Sequence, residues 1–393
     1  MKFIKTRFSD QRGMILVISL LILALLIGAG VGAIVSMQTD FRTSANLKTG
    51  TQAFDLAEAG IEWAKQQSKK SAANPPNPSG NTQTMSTGTF TVSFSDATKE
   101  SQLVGKVTAT STGTVGNSSS TIGALIKKTY ELSDAAISMR GAEAGASFTG
   151  NSFIVDGRDY NTNGTLVPNA KSQYGISVPN STLDAQVTSG VANNQTNNIV
   201  GKGGATPNIE LSDFMPSSEI TQLANDLCAQ SNAITSNISG AELDVPTGQV
   251  WGTQASPTLR CINGQTTGSY AATDKVEFAG NFTGAGILVV KNANVEINGA
   301  WHREGLIIVT GANVGFKIAG GGTKDIWGSI MINETSTDTP AEVDLQGAVN
   351  VRYSSTALQN AMTQFTTSAN PLENVYDSLP SSISQVYWRT VSN

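Results

Sequence analysis

Residues 156–163, Asp156-Gly157-Arg158-Asp159-Tyr160-Asn161-Thr162-Asn163, gather two carboxylates, a guanidinium and two amides in one short stretch. Asp156, Asp159, Asn161 and Asn163 offer the oxygen donors that a calcium ion takes, although no Glu is placed to close such a loop. A second cluster holds Asp274, Lys275 and Glu277. Glycan-cleaving enzymes gather paired carboxylates in one groove, but both clusters fall in turns between expected strands, where solvated charges are ordinary. Acyl-transfer chemistry of the Ser/His/Asp kind would rest on His302, the single histidine, in the tetrapeptide Trp301-His302-Arg303-Glu304 ahead of an apolar run. That tetrapeptide reads as an exposed loop. With one His, two Cys and no CxxC pair, a zinc site lacks its usual ligands. Gly320-Gly321-Gly322-Thr323-Lys324 lacks the spacing of a phosphate loop. No catalytic residue is assigned, the chain reads as a non-enzyme, and calcium is the one ion with candidate ligands.

Composition bounds the partners. Charged residues make up 14% of the chain and the net charge is −5, so no basic surface for nucleic acid is implied. Gly, Ser, Thr and Asn dominate the polar positions, and Lys/Glu helical patterns are scarce after residue 70, which points to a β-rich exterior. Cys228 and Cys261 are the only cysteines. In an exported, oxidised head they would close one disulfide loop worth about 3.5 kcal/mol in the chain-entropy model; the alternative is a pair of buried free thiols.

The elements that must position these residues fall into three stretches. In the C-terminal part, Gly286-Ile287-Leu288-Val289-Val290, Gly305-Leu306-Ile307-Ile308-Val309 and Gly328-Ser329-Ile330-Met331-Ile332 recur at a spacing of roughly 20 residues. A second series, 294–297, 313–318 and 342–345, interleaves with the first, and each of its members is closed by a glycine at 299, 320 or 347. Short strands with glycine corners at this period predict a β-solenoid, a parallel β-helix. A β-sandwich would explain the alternation but not the spacing of both series. Residues 146–157 share the pattern and predict a first coil. Between them, residues 160–272 read as a partly helical insertion, with a helix over 217–236 whose buried stripe is Ile220, Leu223, Leu227 and Ile234.

Upstream, 89–94, 103–109 and 120–126 alternate as three strands of an antiparallel meander, preceded by a proline-rich stop at 75–78. At the start of the chain, Lys2, Lys5, Arg7 and Arg12 precede Gly13, and no charge follows from Met14 to Thr39. That run is long enough to span a bilayer, and the basic block is expected to stay cytoplasmic. Phe41, Ala45, Phe54, Ala57, Ile61 and Ala64 then continue the helix with an amphipathic pattern, predicting one rod over 14–67 of roughly 80 Å.

The basic leader ending at Gly13, the apolar block from Met14 and the string Gln52-Ala53-Phe54-Asp55-Leu56-Ala57-Glu58-Ala59-Gly60-Ile61-Glu62 resemble the N-terminal region of PilX-type minor pilins of type IV pili, over residues 9–66. The resemblance implies cleavage by a prepilin peptidase between Gly13 and Met14 and methylation of the new N-terminus. It implies an assembly helix in which Phe54, Ala57, Glu58, Gly60 and Ile61 belong to the family motif. It further implies partners among minor and major pilins, an inner-membrane assembly platform and a large tip adhesin. The head would face the periplasm before assembly and lie outside the cell in the fibre afterwards. One departure is Ile18, which stands where most major pilins carry Glu. That Glu offsets a neighbour's positive N-terminus in low dielectric, and a subunit lacking it suits an end of the fibre, as in the similar tip pseudopilin of type II secretion. The expected architecture is α+β: a leader (1–13), the helix (14–67), a pilin-like meander (68–130) and a solenoid-like head (135–393). Two other functions share these parts, a tip pseudopilin and a membrane-anchored carbohydrate-active β-helix enzyme.

Overall fold

The computed structural model describes residues 11–390 apart from 72, 102, 151, 266–268, 270, 271, 337–341, 366–374, 377 and 378. It begins with one helix, α1 (Gln11–Lys70), of 60 residues and about 90 Å. From Met14 to Lys48 every side chain is exposed. Beyond Thr49 the helix buries Ala53, Leu56, Ala57, Gly60, Ile61, Ala64 and Ser68, spaced by three and four so that they share one face. This corrects the expected stripe: Phe41 is 70% exposed, and Phe54 lies at the flank against Trp388, ring centroids 6.2 Å apart. Small residues win the central positions because the sheet comes so close. A Cβ at Gly60 would lie 2.0 Å from Ser111 Oγ, and one at Gly113 would lie 2.1 Å from the Ala53 carbonyl oxygen.

The partner of that face is an antiparallel sheet of β1 (Asn81–Met85), β2 (Gly88–Ser101), β3 (Val104–Val115) and β4 (Ser118–Tyr130). Burial alternates strictly along β3, so one face is wet and the other packs on α1. Three of these strands match the meander pattern; β1 is a fourth that the pattern did not indicate, since Asn81-Thr82-Gln83-Thr84-Met85 carries no apolar alternation.

After Tyr130 the chain turns into a solenoid. β5 (Ala135–Met139), β6 (Ala146–Thr149) and β7 (Ile154–Asp156) make one coil; β8 (Tyr174–Val178), α2 (Ser181–Ser189), β9 (Ile199–Val200) and β10 (Ile209–Leu211) extend it in one direction, with β8 on β5, β9 on β7 and β10 on β8. Helix α3 (Ser217–Cys228) then carries the chain to the other end. There β11 (Ile234–Asn237), β12 (Glu242–Val245) and β13 (Gln249–Trp251) form the terminal coil. From it β14 (Thr258–Asn263), β15 (Lys275–Phe278), β16 (Phe282–Lys291), β17 (Asn294–Ile297), β18 (Trp301–Gly311), β19 (Phe316–Ile318), β20 (Lys324–Glu334), β21 (Val343–Gln346) and β22 (Val349–Tyr353) wind back. The winding ends when β20, β21 and β22 pair in parallel with β5, β6 and β7, so the coil made first in the chain stacks on the coil made last.

Residues 160–272 therefore do more than interrupt the solenoid: β8–β10 and β11–β14 build its two ends. The helix expected over 217–236 stops at Cys228, and Ile234, expected in its stripe, is exposed on β11. The polar run Gln230-Ser231-Asn232 cannot continue a buried stripe. Ile220, Leu223, Ala224 and Leu227 of α3 pack over β14, β16, β18 and β20.

Gly286, Gly305 and Gly328 stand in register at one corner, with φ of 120°, 112° and 137°. A Cβ at Gly305 would lie 2.1 Å from the Gly286 carbonyl oxygen, and one at Gly328 would lie 1.9 Å from that of Gly305. Each long strand bends at this corner and serves two faces. Helix α4 (Ser355–Met362) covers β16, β18 and β20, and β23 (Ser381–Thr390) leaves the solenoid to pair antiparallel with β4. The whole solenoid is thus looped out between two neighbouring strands of the first sheet.

Candidate functional site

Most of the exposed large apolar side chains among the described residues lie on α1, from Met14 to Leu47. It is the one described helix long and apolar enough to cross a membrane. Met14 is 61% and Ile18 51% exposed, and both belong to the uninterrupted apolar half. The Gly13-Met14 peptide lies within α1, while residues 1–10 of the expected leader lie outside the described residues. Ala57, Gly60 and Ile61 are buried against the sheet; Glu58 is exposed. Glu58 joins Asp55, Glu62, Ile122, Gln385 and Trp388 around a groove of about 400 Å³ between α1 and β23.

The expected calcium ligands are spent on protein partners and do not converge. Asp156 is buried and accepts hydrogen bonds from Arg158 N (2.9 Å), Nε (3.0 Å) and Nη2 (2.6 Å) and from the Tyr160 hydroxyl (2.7 Å). The hydrogen bond to Asp156 raises the Arg158 pKa, and burial, with the hydrogen bond to Asp156 second, raises that of Tyr160. Asp159 instead accepts from Ser355 N (2.8 Å) and Oγ (2.6 Å), tying the loop to the start of α4. Asn161 donates to Thr165 Oγ1, and Asn163 accepts from Thr165 N.

In the second cluster Lys275 Nζ lies 2.8 Å from Glu242, 2.9 Å from Glu277 and 3.6 Å from Glu296, while Asp274 accepts from Gln265 N. Hydrogen bonds shared with Glu242, Lys275 and Asn298 hold Glu277 down to about 2, and Glu242 and Glu277 hold Lys275 well above its ordinary range. Glu242, Asp244 and Glu277 form the one acidic triad close enough to share an ion among the described residues. They lie in the outward row of stacked strands, with Asp244, Glu277, Glu296, Lys317 and Asp344 in register. This is a solvated charge ladder on the solenoid's face, with a lysine already neutralising its acidic end.

Trp301-His302-Arg303-Glu304, expected as an exposed loop, is the first half of β18. Strand alternation turns Trp301 (1% exposed) and Arg303 (0%) inward and leaves His302 outward. His302 Nε2 lies 3.1 Å from Glu304 Oε1, which also accepts from Gln254, and the hydrogen bond to Glu304 raises the His302 pKa. Thr283, His302 and Asp325 line up across strands beside a groove of about 470 Å³. No serine or cysteine hydrogen-bonds to His302 among the described residues, so no nucleophile is paired with it. Arg303 escaped the sequence reading; its even spacing from Trp301 in an alternating strand was the available signal.

Cys228, the last residue of α3, is joined to Cys261 on β14 with Cα atoms 5.7 Å apart. The disulfide clips the helix to the far end of the solenoid.

Together these features define an α+β protein with a membrane-length helix, an antiparallel sheet on the helix's outer half, and a parallel solenoid looped out of that sheet. No family model and no curated protein matches the chain. Among solved structures, that of the competence-associated pilin ComZ from Thermus thermophilus is similar at 12% identity and a TM-score of 0.29, covering 87% of this chain and 97% of that one.

Proposed function

We propose that the protein is a minor pilin of a type IV pilus, placed at the tip or in the initiating complex, with its solenoid head displayed for surface contact. The observation that carries this reading is the division of α1: residues 14–48 are wholly exposed and apolar at their start, while the continuation is clamped to a sheet through small residues. A simple anchor needs no such rigid extension. The leader string ending at Gly13 and the motif over 52–62 support the same reading.

In this role membrane burial holds the subunit until an assembly platform extracts it. The exposed half then exchanges lipid for the equivalent helices of major and minor pilins. Both surroundings are apolar, so the exchange is near neutral and reversible, as growth and retraction require. Ile18 brings no carboxylate to a neighbour's N-terminus, which suits a position with no subunit ahead of it. Prepilin peptidase would act at Gly13-Met14, and a large tip adhesin is a fitting partner for the head. Catalysis has no place in it.

Gly13→Glu should leave uncleaved precursor in the membrane. Normal processing on an immunoblot would refute the cleavage assignment. Immunogold labelling should find the head at fibre ends; labelling at regular intervals along the shaft would remove the tip position. Ile18 fits a tip pseudopilin of type II secretion as well, and loss of piliation rather than of secretion on deletion separates the two.

A further inference from the structure

Next to the terminal coil, the solenoid interior holds two arginines, Arg260 on β14 and Arg303 on β18, with no acid paired to either among the described residues. Arg303 is inward, fully buried and in register with Gly284 and Ile326. A Cβ at Gly284 would lie 2.6 Å from Arg303 Nη1, so the guanidinium lies across the one position in that stack without a side chain. Gly284 in turn is in register with Trp251 of the terminal strand β13. Arg260 approaches from the next face. Its neighbour Cys261 is joined to α3 on the outside, so alternation turns Arg260 inward, and its guanidinium lies 4.7 Å over the Trp251 ring.

The donors around this spot have nothing to donate to. Among the described residues, Nε, Nη1 and Nη2 of Arg303, Nε of Arg260 and Nε1 of Trp301 are buried without a hydrogen-bond partner, as is Oγ1 of Thr258 at the adjoining corner. Neither arginine has an ion pair among the described residues, and burial, with Arg260 second, pushes Arg303 down to about 9. A guanidinium presents five donors in a fixed fork. Leaving such a charge unpaired in a dry interior is among the costliest arrangements a protein can contain. Hydrophobic packing alone would have placed an aliphatic residue beside Ile326 and Val351 in the same inward row.

We propose that the solenoid interior just behind the terminal coil is a binding site for one small inorganic anion, of the phosphate or chloride class, held between Arg303 and Arg260 beside Trp251. The anion enters from the open end, where β11, β12 and β13 have no further coil beyond them and Arg260 is half-exposed. Bound there, it ties β14 and β18 to the end coil and stiffens the outermost part of the head. The site stands independently of the pilin reading.

The test uses the full chain in detergent, in a buffer whose only counter-ion is bulky gluconate. Thermal unfolding is followed by tryptophan fluorescence while sodium phosphate or sodium chloride replaces gluconate at constant ionic strength. For the wild type, a saturable rise in Tm of roughly 3 °C at tenfold above half-saturation is expected with at least one anion. Arg303→Met should remove the saturable rise, and Arg260→Gln should move half-saturation about tenfold higher. A wild-type Tm indifferent to both anions, or an unchanged rise in Arg303→Met, overturns the proposal. Crystals of the wild type grown in bromide give a readout free of any folding defect. An anomalous peak against the Arg303 guanidinium supports the site; water density alone at that position overturns it.

Discussion

Replacing Gly305 by alanine tests whether the glycine corner, and not apolar alternation alone, holds the solenoid's coils together. Two separate costs are written into this position. Its φ of 112° costs a residue with a Cβ about 1–3 kcal/mol. The new Cβ would also lie 2.1 Å from the Gly286 carbonyl oxygen, where carbon and oxygen normally keep about 3.3 Å. Relieving that contact needs roughly 1 Å of separation between β16 and β18, which breaks two or three ladder hydrogen bonds at about 1 kcal/mol each. The sum is about 3–6 kcal/mol, and with 2–4 °C per kcal/mol for a region of this size the Tm should fall by about 6–24 °C. Two controls divide the costs. Gly240 has a φ of 95° but no atom within 4 Å of its would-be Cβ, so Gly240→Ala carries the backbone cost alone. Gly321 has neither feature, and Gly321→Ala should be neutral. Circular dichroism melts of the three variants should rank Gly305→Ala well below Gly240→Ala and Gly240→Ala below Gly321→Ala. If Gly305→Ala loses no more than Gly240→Ala, the corner is not close-packed and the reasoning is wrong.

Two further outcomes can be checked on the same protein. Replacing both Cys228 and Cys261 by serine should lower stability by about 3.5 kcal/mol, since the disulfide closes the loop that links α3 to the far end; equal melts with and without reductant would contradict this. Glu342 is buried with both carboxylate oxygens unpartnered among the described residues, and burial raises it from 4.5 to about 7, with Glu143 and Glu334 adding to the rise. A raised acid makes the native state bind the proton more tightly than the unfolded chain. Its contribution is therefore present below about pH 4.5 and is lost as pH climbs to 7, a change of about 3 kcal/mol. Glu342→Gln should flatten that decline in urea unfolding at pH 4.5–7, and an unaltered slope would assign the decline elsewhere.

Much of the architecture was legible in local pattern. The long helix follows from an unbroken apolar run joined to three-and-four spacing, and the solenoid follows from glycine-bounded strands recurring at one period. Where the reading erred, the competing force was packing. Phe41 was assigned to the buried stripe by periodicity, yet the sheet reaches only to Thr49, which hydrogen-bonds Ser118. Large Phe54 is displaced to the flank because Gly60 and Gly113 bring helix and sheet too close for it. The Asp156–Asn163 stretch had the composition of a cation loop, but Arg158 and Ser355 take its carboxylates. Arg303 sat in a tetrapeptide whose charges suggested a loop; its inward direction follows only once β18 is known to extend back to Trp301.

The sequence by itself determined what each segment could become: a rod, a strand, a corner, a thiol able to pair. These outcomes depend on residues within a turn or two of one another, where propensity and alternation act. Only the tertiary structure decided which coil lies beside which. The coils share the same alternating apolar pattern and offer alike backbone edges, so nothing local says that β20–β22 is the neighbour of β5–β7 or that β23 returns to β4. That choice is settled by non-local parallel pairing and by the buried area gained when the two solenoid arms meet.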